Sequence, residues 1–333
     1  MKPRKKFWFC VLTLSGIILI SSCKKENLPT VTTTEIIEFT QASATSGSKI
    51  TDDGGEMINF RGVCWSTSHN PTISHNKTND GNGLGYFVSI ITGLTPSSTY
   101  YVRAYATNSA GTAYGEEKAF KTYQDYIFDV DGNGYGTVII GEQEWMAENL
   151  KTTTYNNGAG IPNVSDGLDW AESVRGAYCW YENDKTKFGG AYGALYNWYA
   201  VNTGNLCPTG WHVPTDAEWS KLIQFIDPTA TKFVSFIAGG KLKSTRTAPD
   251  AHPRWDKHNA GSTDEFGFSA LPAGYRDSDG TFDGALYTCY LWSSSEKDEL
   301  YAWCQGIFNM YGFIDRSNLN KQDGFSVRCL RDS

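Results

Sequence analysis

The sequence predicts a multidomain protein in which an antiparallel β-sandwich precedes an α+β domain with few helices. The chain has 333 residues, enough for two domains that each bury a core. Residues 29–123 contain short segments in which apolar and polar residues alternate, whereas nine of the 11 Trp and 13 of the 19 Tyr lie in residues 124–333. Such a density of large aromatic side chains is typical of a domain whose loops are held in place by those side chains.

Residues 1–22 are predicted to be a lipoprotein signal peptide. A basic start from Lys2 to Lys6 is followed by an apolar run from Phe7 to Ile20, which is too short for a membrane span and has the length of a secretory signal. Ile20-Ser21-Ser22-Cys23 resembles a bacterial lipobox, which implies a lipid anchor on Cys23 and a tether over residues 23–28. The alternative is an ordinary signal peptide with a chance cysteine.

The charge and the lipobox together set the expected partners and location. The net charge is −7, and it becomes −11 without the four cations at positions 2, 4, 5 and 6 of the signal peptide. Nucleic-acid-binding proteins usually present a basic face, so nucleic acid is not expected as a partner. The lipid anchor predicts a membrane as partner and a place in the bacterial cell envelope. The outer membrane is the expected membrane, with surface display as one option.

The β-sandwich is predicted from alternating segments between turn-rich clusters. The clusters at 45–55, 68–83 and 107–111 are rich in Gly, Asn, Ser and Asp and are expected to be loops. In the fourth segment, Tyr101, Arg103 and Tyr105 are expected on the face towards solvent. The five predicted strands cover residues 35–40, 58–65, 85–91, 100–106 and 118–122.

The stretch GLTPSSTYYVRAYATNSAGTAYG at 93–115 resembles the last strands of a fibronectin type III domain. Leu94, Pro96 and Tyr100 match the turn and the tyrosine corner of that family, and Asn108 and Gly111 match its next hairpin. The resemblance covers residues 29–123. It implies a spacer that holds the following domain away from the membrane.

Residues 124–333 are predicted to contain one clear helix among strands and loops. Thr215 and Glu218 have the spacing of a capping box, and the apolar residues that follow recur on one face through Ile226, so a helix is predicted over residues 215–226. Weaker helices are predicted over residues 144–150 and 237–243. Strand-like runs cover residues 266–271, 287–293, 301–309 and 324–330.

Six motifs in this segment resemble, in the family's order, the Fibrobacter succinogenes major paralogous domain. The family is similar to C-type-lectin-like and formylglycine-generating-enzyme-type domains, which implies a C-type-lectin-like α+β fold and an exported or lipidated protein, but no particular reaction. The motifs are GEQEWMAENLKTTTYNNG (141–158), GALYNWYAV (193–201), CPTGWHVPTDAEWSKL (207–222), GFSALPAGYR (267–276), LWSSSE (291–296) and GFSVRCLRD (324–332).

Six cysteines remain outside the signal peptide and the lipobox. An exported chain can form disulfides, and six cysteines allow 15 pairings. The lectin-like resemblance implies a bridge from Cys207, before the helix, to Cys329, in the last strand. Adjacent strand-like runs carry Cys289 and Cys304, which predicts a second bridge. The last two, Cys64 and Cys179, are expected to be buried free thiols.

Neither a nucleophile with a neighbouring base nor a zinc-ligand spacing occurs in the sequence. The side chain of His212 is expected to pack rather than to act as a base, and the helix cap accounts for Glu218. A formylglycine-generating type of chemistry would have only Cys289 and Cys304 as its thiol pair. We therefore predict a protein that is not an enzyme and needs no cofactor. An oxidative or hydrolytic enzyme and a purely structural envelope protein are the alternatives.

The predicted function is the binding of an extracellular glycan or surface partner without calcium. The run from Asp129 to Asn133 starts like a calcium loop, but its twelfth position is Ile140 rather than Glu, and a hairpin turn explains the same residues. Calcium-dependent lectins would be expected to carry EPN or QPD with WND, and these are absent. Exposed aromatic rings near polar loops can stack on sugars; the candidates are Trp180, Tyr181, Trp255, Tyr275 and Trp292.

Overall fold

The computed structural model describes residues 27–333. The predictions of a signal peptide over residues 1–22 and of a lipid anchor on Cys23 lie outside the described residues, as does most of the tether. None of the helices between residues 27 and 333 has the length and apolar composition needed to cross a lipid bilayer.

The first nine strands form a sandwich of two antiparallel sheets. In one sheet the order is β1-β3-β2, with β6 paired to β3. In the other the order is β5-β4-β7-β8, with β9 paired to β7. The core between them contains Val63, Ile91 and Val102, each 0% exposed. The strands are β1 (Thr30–Thr33), β2 (Glu38–Phe39), β3 (Ser43–Asp52), β4 (Phe60–Ser66), β5 (Asn76–Lys77), β6 (Gly85–Thr92), β7 (Thr99–Asn108), β8 (Gly111–Tyr114) and β9 (Lys118–Lys121).

The prediction of a loop over residues 45–55 is wrong, because most of that segment belongs to β3. This strand pairs with β6 over eight successive residues, and its Ser46 and Ser48 are buried. A Cβ atom on Gly47 would lie 2.2 Å from the carbonyl oxygen of Phe87. Small residues are therefore required there by the close approach of β6, although the same residues are typical of turns.

Two tyrosines of β7 show where local alternation succeeds and where it fails. The Tyr100 hydroxyl accepts a hydrogen bond from the backbone N–H of Thr95 at 3.1 Å, which is the contact expected of a tyrosine corner. The prediction that Tyr105 faces solvent is wrong. Its ring is buried, and its hydroxyl donates to the carbonyl of Thr78 at 2.6 Å, because the segment around β5 covers that face of the sheet.

The C-terminal domain contains three sheets and a small number of short helices. A five-stranded sheet has the order β10-β11-β12-β22-β15, β13 pairs with β14, and a six-stranded sheet has the order β16-β21-β20-β19-β17-β18. The strands are β10 (Tyr126–Phe128), β11 (Gly134–Ile140), β12 (Gln143–Met146), β13 (Tyr178–Cys179), β14 (Leu195–Tyr196), β15 (Trp211–His212), β16 (Val234–Ser235), β17 (Ala273–Arg276), β18 (Phe282–Ala285), β19 (Thr288–Glu296), β20 (Tyr301–Phe308), β21 (Ile314–Asn320) and β22 (Leu330–Arg331).

The helix predicted over residues 215–226 is confirmed as α4, with its capping box formed by Thr215 and Glu218. The weak helix predicted over 237–243 corresponds to α5. A helix over 144–150 is wrong, since β12 occupies part of that segment and buries Trp145 between β11 and β22. The helices are α1 (Gly167–Ala171), α2 (Gly190–Tyr192), α3 (Trp198–Val201), α4 (Asp216–Ile226) and α5 (Ala238–Leu242), with a 3-10 turn (Tyr181–Asn183) and a π-turn (Lys185–Gly189) before α2.

Of the four strand-like runs, those at 287–293 and 301–309 are confirmed as β19 and β20. The runs at 266–271 and 324–330 are wrong as continuous strands. Ala270, Phe325 and Ser326 make only isolated bridges, and β22 begins at Leu330. The residues of both runs are buried or partly buried, and apolar residues occur at such positions whether or not the backbone forms a ladder.

One predicted disulfide is confirmed and the other is wrong. Cys207 and Cys329 are bonded across 122 residues, whereas Cys289 and Cys304 are buried free thiols, as are Cys64 and Cys179. In the β19–β20 ladder, Cys304 lies opposite Trp292 and Cys289 lies opposite Ile307. The two thiols therefore point to opposite faces of the sheet, because side chains alternate along a strand.

A hydrogen-bonded histidine joins the start of α4 to the end of the chain. The Nδ1 of His212 lies 2.6 Å from Asp332 Oδ1, and its Nε2 lies 3.0 Å from Glu218 Oε1. Burial alone would lower the pKa of His212, but the hydrogen bonds to Asp332 and Glu218 outweigh it and raise the pKa above 6.5.

We expect the hydrogen bonds of His212 to stabilise the fold most at the acidic end of the pH range in which histidine titrates. A raised pKa in the folded state means that the contribution is complete below pH 6.5 and is lost as the pH rises through the folded-state pKa. The difference in free energy of unfolding between the wild type and His212→Gln should therefore shrink from pH 6 to pH 9 in urea titrations. A difference that stays constant over this range would contradict the prediction.

Candidate functional site

The five aromatic side chains predicted to form a sugar-binding surface do not form one. Trp180, Tyr181, Trp255 and Trp292 are at most 7% exposed. The ring of Tyr275 is only partly buried, but it packs edge-on against Tyr290. The prediction of exposed rings is wrong because these rings pack beneath the polar loops that flank them in the sequence. The exposed large rings of the C-terminal domain include Phe233, Phe236, Tyr287, Tyr301 and Tyr311.

The surroundings of the Cys289 and Cys304 thiols, and of the turn from Asp129 to Asn133, indicate structural roles. Burial raises the pKa of the Cys289 thiol to about 12 and raises that of Cys304 well above its usual value, so neither is activated as a thiolate. In the turn, the Asp129 carboxylate accepts hydrogen bonds from the Tyr135 hydroxyl at 2.6 Å and the Asn133 amide at 2.8 Å. Within residues 27–333, no group of three or more His, Cys, Asp or Glu side chains could hold a metal ion.

A cleft of about 710 Å³ lies between the sandwich and the C-terminal domain. We call it the interdomain cleft. The segment from Ile36 to Thr45 forms its sandwich wall, with the hydroxyls of Thr40, Ser43 and Thr45. Its other walls come from the C-terminal domain and include Tyr126, Glu148, Asn149, Lys151, Ser244, Arg246, His252 and Ser269.

The segment after β12 forms the floor of the interdomain cleft. Its path is held by backbone hydrogen bonds from Ala147 to Gly136 and from Leu150 to Val327. The Glu148 carboxylate accepts a hydrogen bond from the Tyr123 hydroxyl at 3.2 Å, while its Oε2 is buried without a partner. Burial raises the pKa of Glu148, although the charge of Lys151 acts in the opposite direction.

A fully buried arginine supports this floor from below. Arg328 donates to Asn149 Oδ1 and to the Ser269 carbonyl, both at 2.8 Å, and also to the Phe268 carbonyl. Because Asn149 and Ser269 line the interdomain cleft, the guanidinium connects two of its walls. A planar guanidinium with several donors is well suited to hold three acceptors at once.

The wall formed by residues 244–253 carries unpaired positive charge. The guanidinium of Arg246 donates to the Ala251 carbonyl at 2.7 Å, but its Nε and that of adjacent Arg254 are buried without hydrogen-bond partners. In the described part of the chain, neither arginine nor Lys151 forms an ion pair. Burial lowers the pKa of His252, and the neighbouring charges of Arg254, Lys187 and Arg246 lower it further.

The base of this wall is anchored by a second buried cation. Lys243 precedes Ser244 and is completely buried. Its Nζ donates to the carbonyls of Ala260, Phe308 and Tyr311 at 2.8, 3.0 and 2.8 Å. Burial lowers the pKa of Lys243 to about 8. The ammonium group thus joins the loop at Ala260 to the end of β20 and the turn after it, which keeps the wall in place next to the interdomain cleft.

Sequence reasoning did not find the interdomain cleft. The motif at 141–158 contains Glu148, Asn149 and Lys151, so it is a signal in the sequence for the floor of the cleft. No signal of this kind marks Arg246 or the sandwich segment at 36–45. These groups come together only through the packing of the two domains.

Residues 138–331 match the model of the Fibrobacter succinogenes major domain. The chain belongs to this family. The floor of the interdomain cleft and its cationic wall both lie within the matched residues, whereas the hydroxyl-bearing wall of the sandwich precedes them. The family domain thus forms most of the cleft. Comparison with curated proteins finds no match.

Solved structures that resemble part of the chain include fibronectin type III domains. The fourth fibronectin type III domain of a human protein is 20% identical, with a TM-score of 0.24, covering 32% of this chain and 88% of that chain. The sensor domain of the anti-sigma factor RsgI4 in Pseudobacteroides cellulosolvens is 16% identical, with a TM-score of 0.23, covering 29% and 97%. Chicken CNTN1 FN1–FN3 is 15% identical, with a TM-score of 0.23, covering 29% and 32%.

Proposed function

We propose that the protein is a cell-envelope lipoprotein that binds an extracellular glycan or surface glycoconjugate in the interdomain cleft, without turning it over. In this proposal the C-terminal domain provides a C-type-lectin-like α+β scaffold, and a lipid on Cys23 anchors the chain in the outer membrane. The observation that carries the proposal is the cleft itself. Its volume of about 710 Å³ lies within the range of about 300–1,000 Å³ typical of ligand sites.

The lining of the cleft suits a ligand with many hydroxyl groups. The sandwich contributes side-chain hydroxyls at Thr40, Ser43 and Thr45 and the ring of Phe39, and the ring of Tyr126 lines the cleft from the C-terminal domain. Hydroxyl and amide groups exchange hydrogen bonds with a sugar, and an aromatic ring covers an apolar sugar face. The sandwich is then more than a spacer, because it supplies one wall of the binding site.

Binding without turnover is supported by the carboxylate content of the cleft. Within the described residues, Glu148 is the only carboxylate in the lining, whereas glycoside hydrolysis commonly needs a pair of them. The second candidate function is a hydrolase in which Glu148 acts as a general acid, and its raised pKa favours that role. Release of a sugar product that is lost in Glu148→Gln would establish the hydrolase and overturn the proposal.

A glycan array probed with residues 27–333 tests the binding function. We expect retention of at least one glycan in the presence of a chelator, because the proposed site uses no calcium. Ala251→Trp should weaken that binding at least tenfold, since the exposed Ala251 lines the cleft and a large ring would fill it. Ala110→Trp, at an exposed turn of the sandwich, is the matched control. Retention of no glycan, or equal binding by both variants, would contradict the proposed site.

The anchor is tested separately in cells. Cys23→Ala should abolish fatty-acid labelling and release the protein from outer-membrane fractions, because the thiol is the proposed site of lipid attachment. Cys10→Ala changes the other cysteine of the N-terminal segment and should leave labelling and location as in the wild type. Labelling that persists in Cys23→Ala would show that the anchor lies elsewhere or is absent.

A further inference from the structure

We infer that the interdomain cleft recognises an acidic saccharide, whose carboxylate pairs with Lys151 and Arg246. This inference rests on the proposed function, since it names the class of glycan that the same site binds. A uronate sugar combines the required carboxylate with hydroxyl groups that meet the polar lining from Thr40 to Thr45.

The first support is the local excess of positive charge in an acidic protein. The whole chain has a net charge of −7, yet the cleft lining within residues 27–333 contains Lys151 and Arg246 against a single carboxylate, Glu148. Arg254 adds a further cation beside the wall, and Arg328 lies beneath the floor. The lining side chains therefore stay net positive when Glu148 is ionised, whereas beneath the floor the carboxyl group of Asp264 lies near Arg328.

The second support is that none of Lys151, Arg246 and Arg254 forms an ion pair with an acidic side chain of the described chain. Charged side chains that are partly buried are normally paired, and the Nε of Arg246 and that of Arg254 are both buried without an acceptor. Burial lowers the pKa of His252 most, and the charges of Arg254, Lys187 and Arg246 around the wall lower it further. Because Arg246 lines the cleft, a carboxylate bound there could accept charge-assisted hydrogen bonds from its guanidinium.

The third support concerns the size of the positive region. It is confined to one cleft, while the rest of the chain is acidic, so an extended polyanion such as nucleic acid would meet repulsion outside the cleft. A single uronate ring places one carboxylate inside the cleft and presents hydroxyl groups to the rest of the lining. The planar guanidinium of Arg246 also matches the geometry of a carboxylate.

The test uses oligomers of galacturonate, glucuronate and mannuronate on an array, each beside its carboxyl-reduced neutral counterpart. We expect residues 27–333 to bind at least one acidic oligomer at least tenfold more tightly than its reduced counterpart, and to lose affinity as salt rises. Lys151→Met and Arg246→Met should each remove most of that preference. Lys232→Met, an exposed lysine outside the cleft, should retain it. Thermal unfolding of each variant confirms that the fold is intact.

The outcomes separate this inference from the proposed function. Binding of neutral glycans only, or equal binding of acidic and reduced oligomers, would overturn the acidic class while glycan binding stands. Retention of no glycan at all would overturn the proposed function, and this inference with it. An acidic preference that survives in Arg246→Met and Lys151→Met would show that the carboxylate is recognised elsewhere.

Discussion

Replacing both Cys207 and Cys329 with Ala should lower the free energy of unfolding by about 4–5 kcal/mol. The bond joins residues 122 positions apart. In the chain-entropy model, closing so long a loop lowers the conformational entropy of the unfolded chain and so raises its free energy by about that amount. The bond also ties the segment before β15 to the segment that supplies β22, which lies between β12 and β15 in the five-stranded sheet.

Urea unfolding under oxidising and reducing conditions measures this contribution. Reduced wild-type protein should match the double variant, because both lack the same covalent link. Cys64→Ala removes a thiol that is not bonded and should leave a clear difference between oxidising conditions and the reduced state. A double variant that unfolds at the wild-type urea concentration under oxidising conditions would contradict the predicted role of the bond.

Replacing Arg276 with Met should destabilise the protein by about 3–5 kcal/mol, because it leaves several carbonyl groups without a donor and each unsatisfied buried group costs about 1–3 kcal/mol. Arg276 is 1% exposed, and it donates to the carbonyls of Gly280, Val164, Ser165 and Asp166 at 2.6–3.0 Å. Its guanidinium also lies between the rings of Trp170 and Phe282. Without it, four carbonyls lose a donor and the loop before α1 loses its anchor.

Two further variants separate the shape of the group from its charge. Arg276→Lys keeps the charge but cannot reach four carbonyls, so its stability should lie between those of the wild type and Arg276→Met. Arg175→Met changes an exposed arginine and should alter the free energy of unfolding by less than about 0.5 kcal/mol. Urea unfolding followed by tryptophan fluorescence gives all four values. Equal stability of Arg276→Met and Arg175→Met would contradict the anchoring role.

Elements whose signal lies within a few neighbouring residues were predictable. The capping box and apolar face of α4 are read from twelve consecutive residues, and the tyrosine corner of Tyr100 is a contact five residues long. The strand β3 was not predictable in this way. Its serines and Gly47 are typical of turns, and only the close approach of β6 explains why small residues form a strand there.

The candidate site also combines residues that a local sequence pattern marks with residues that no local pattern marks. Residues 141–158 mark the floor of the interdomain cleft as part of a family motif, but Arg246 and the sandwich wall carry no local pattern. The polar residues that flank Trp255 and Trp292 predict surface positions, but both side chains are completely buried. Flanking polarity describes the loop, whereas burial depends on what packs over the ring from distant parts of the chain.

The sequence was sufficient to predict the family, a mainly β architecture with α4 as its clearest helix, and the pairing of Cys207 with Cys329. Each of these predictions follows from the spacing of neighbouring residues or from a family resemblance carried by short motifs. The tertiary structure alone decided that Cys289 and Cys304 face opposite sides of a sheet and that unpaired cations gather beside the cleft. Strand register and domain packing set those facts, and both depend on contacts between residues far apart in the chain.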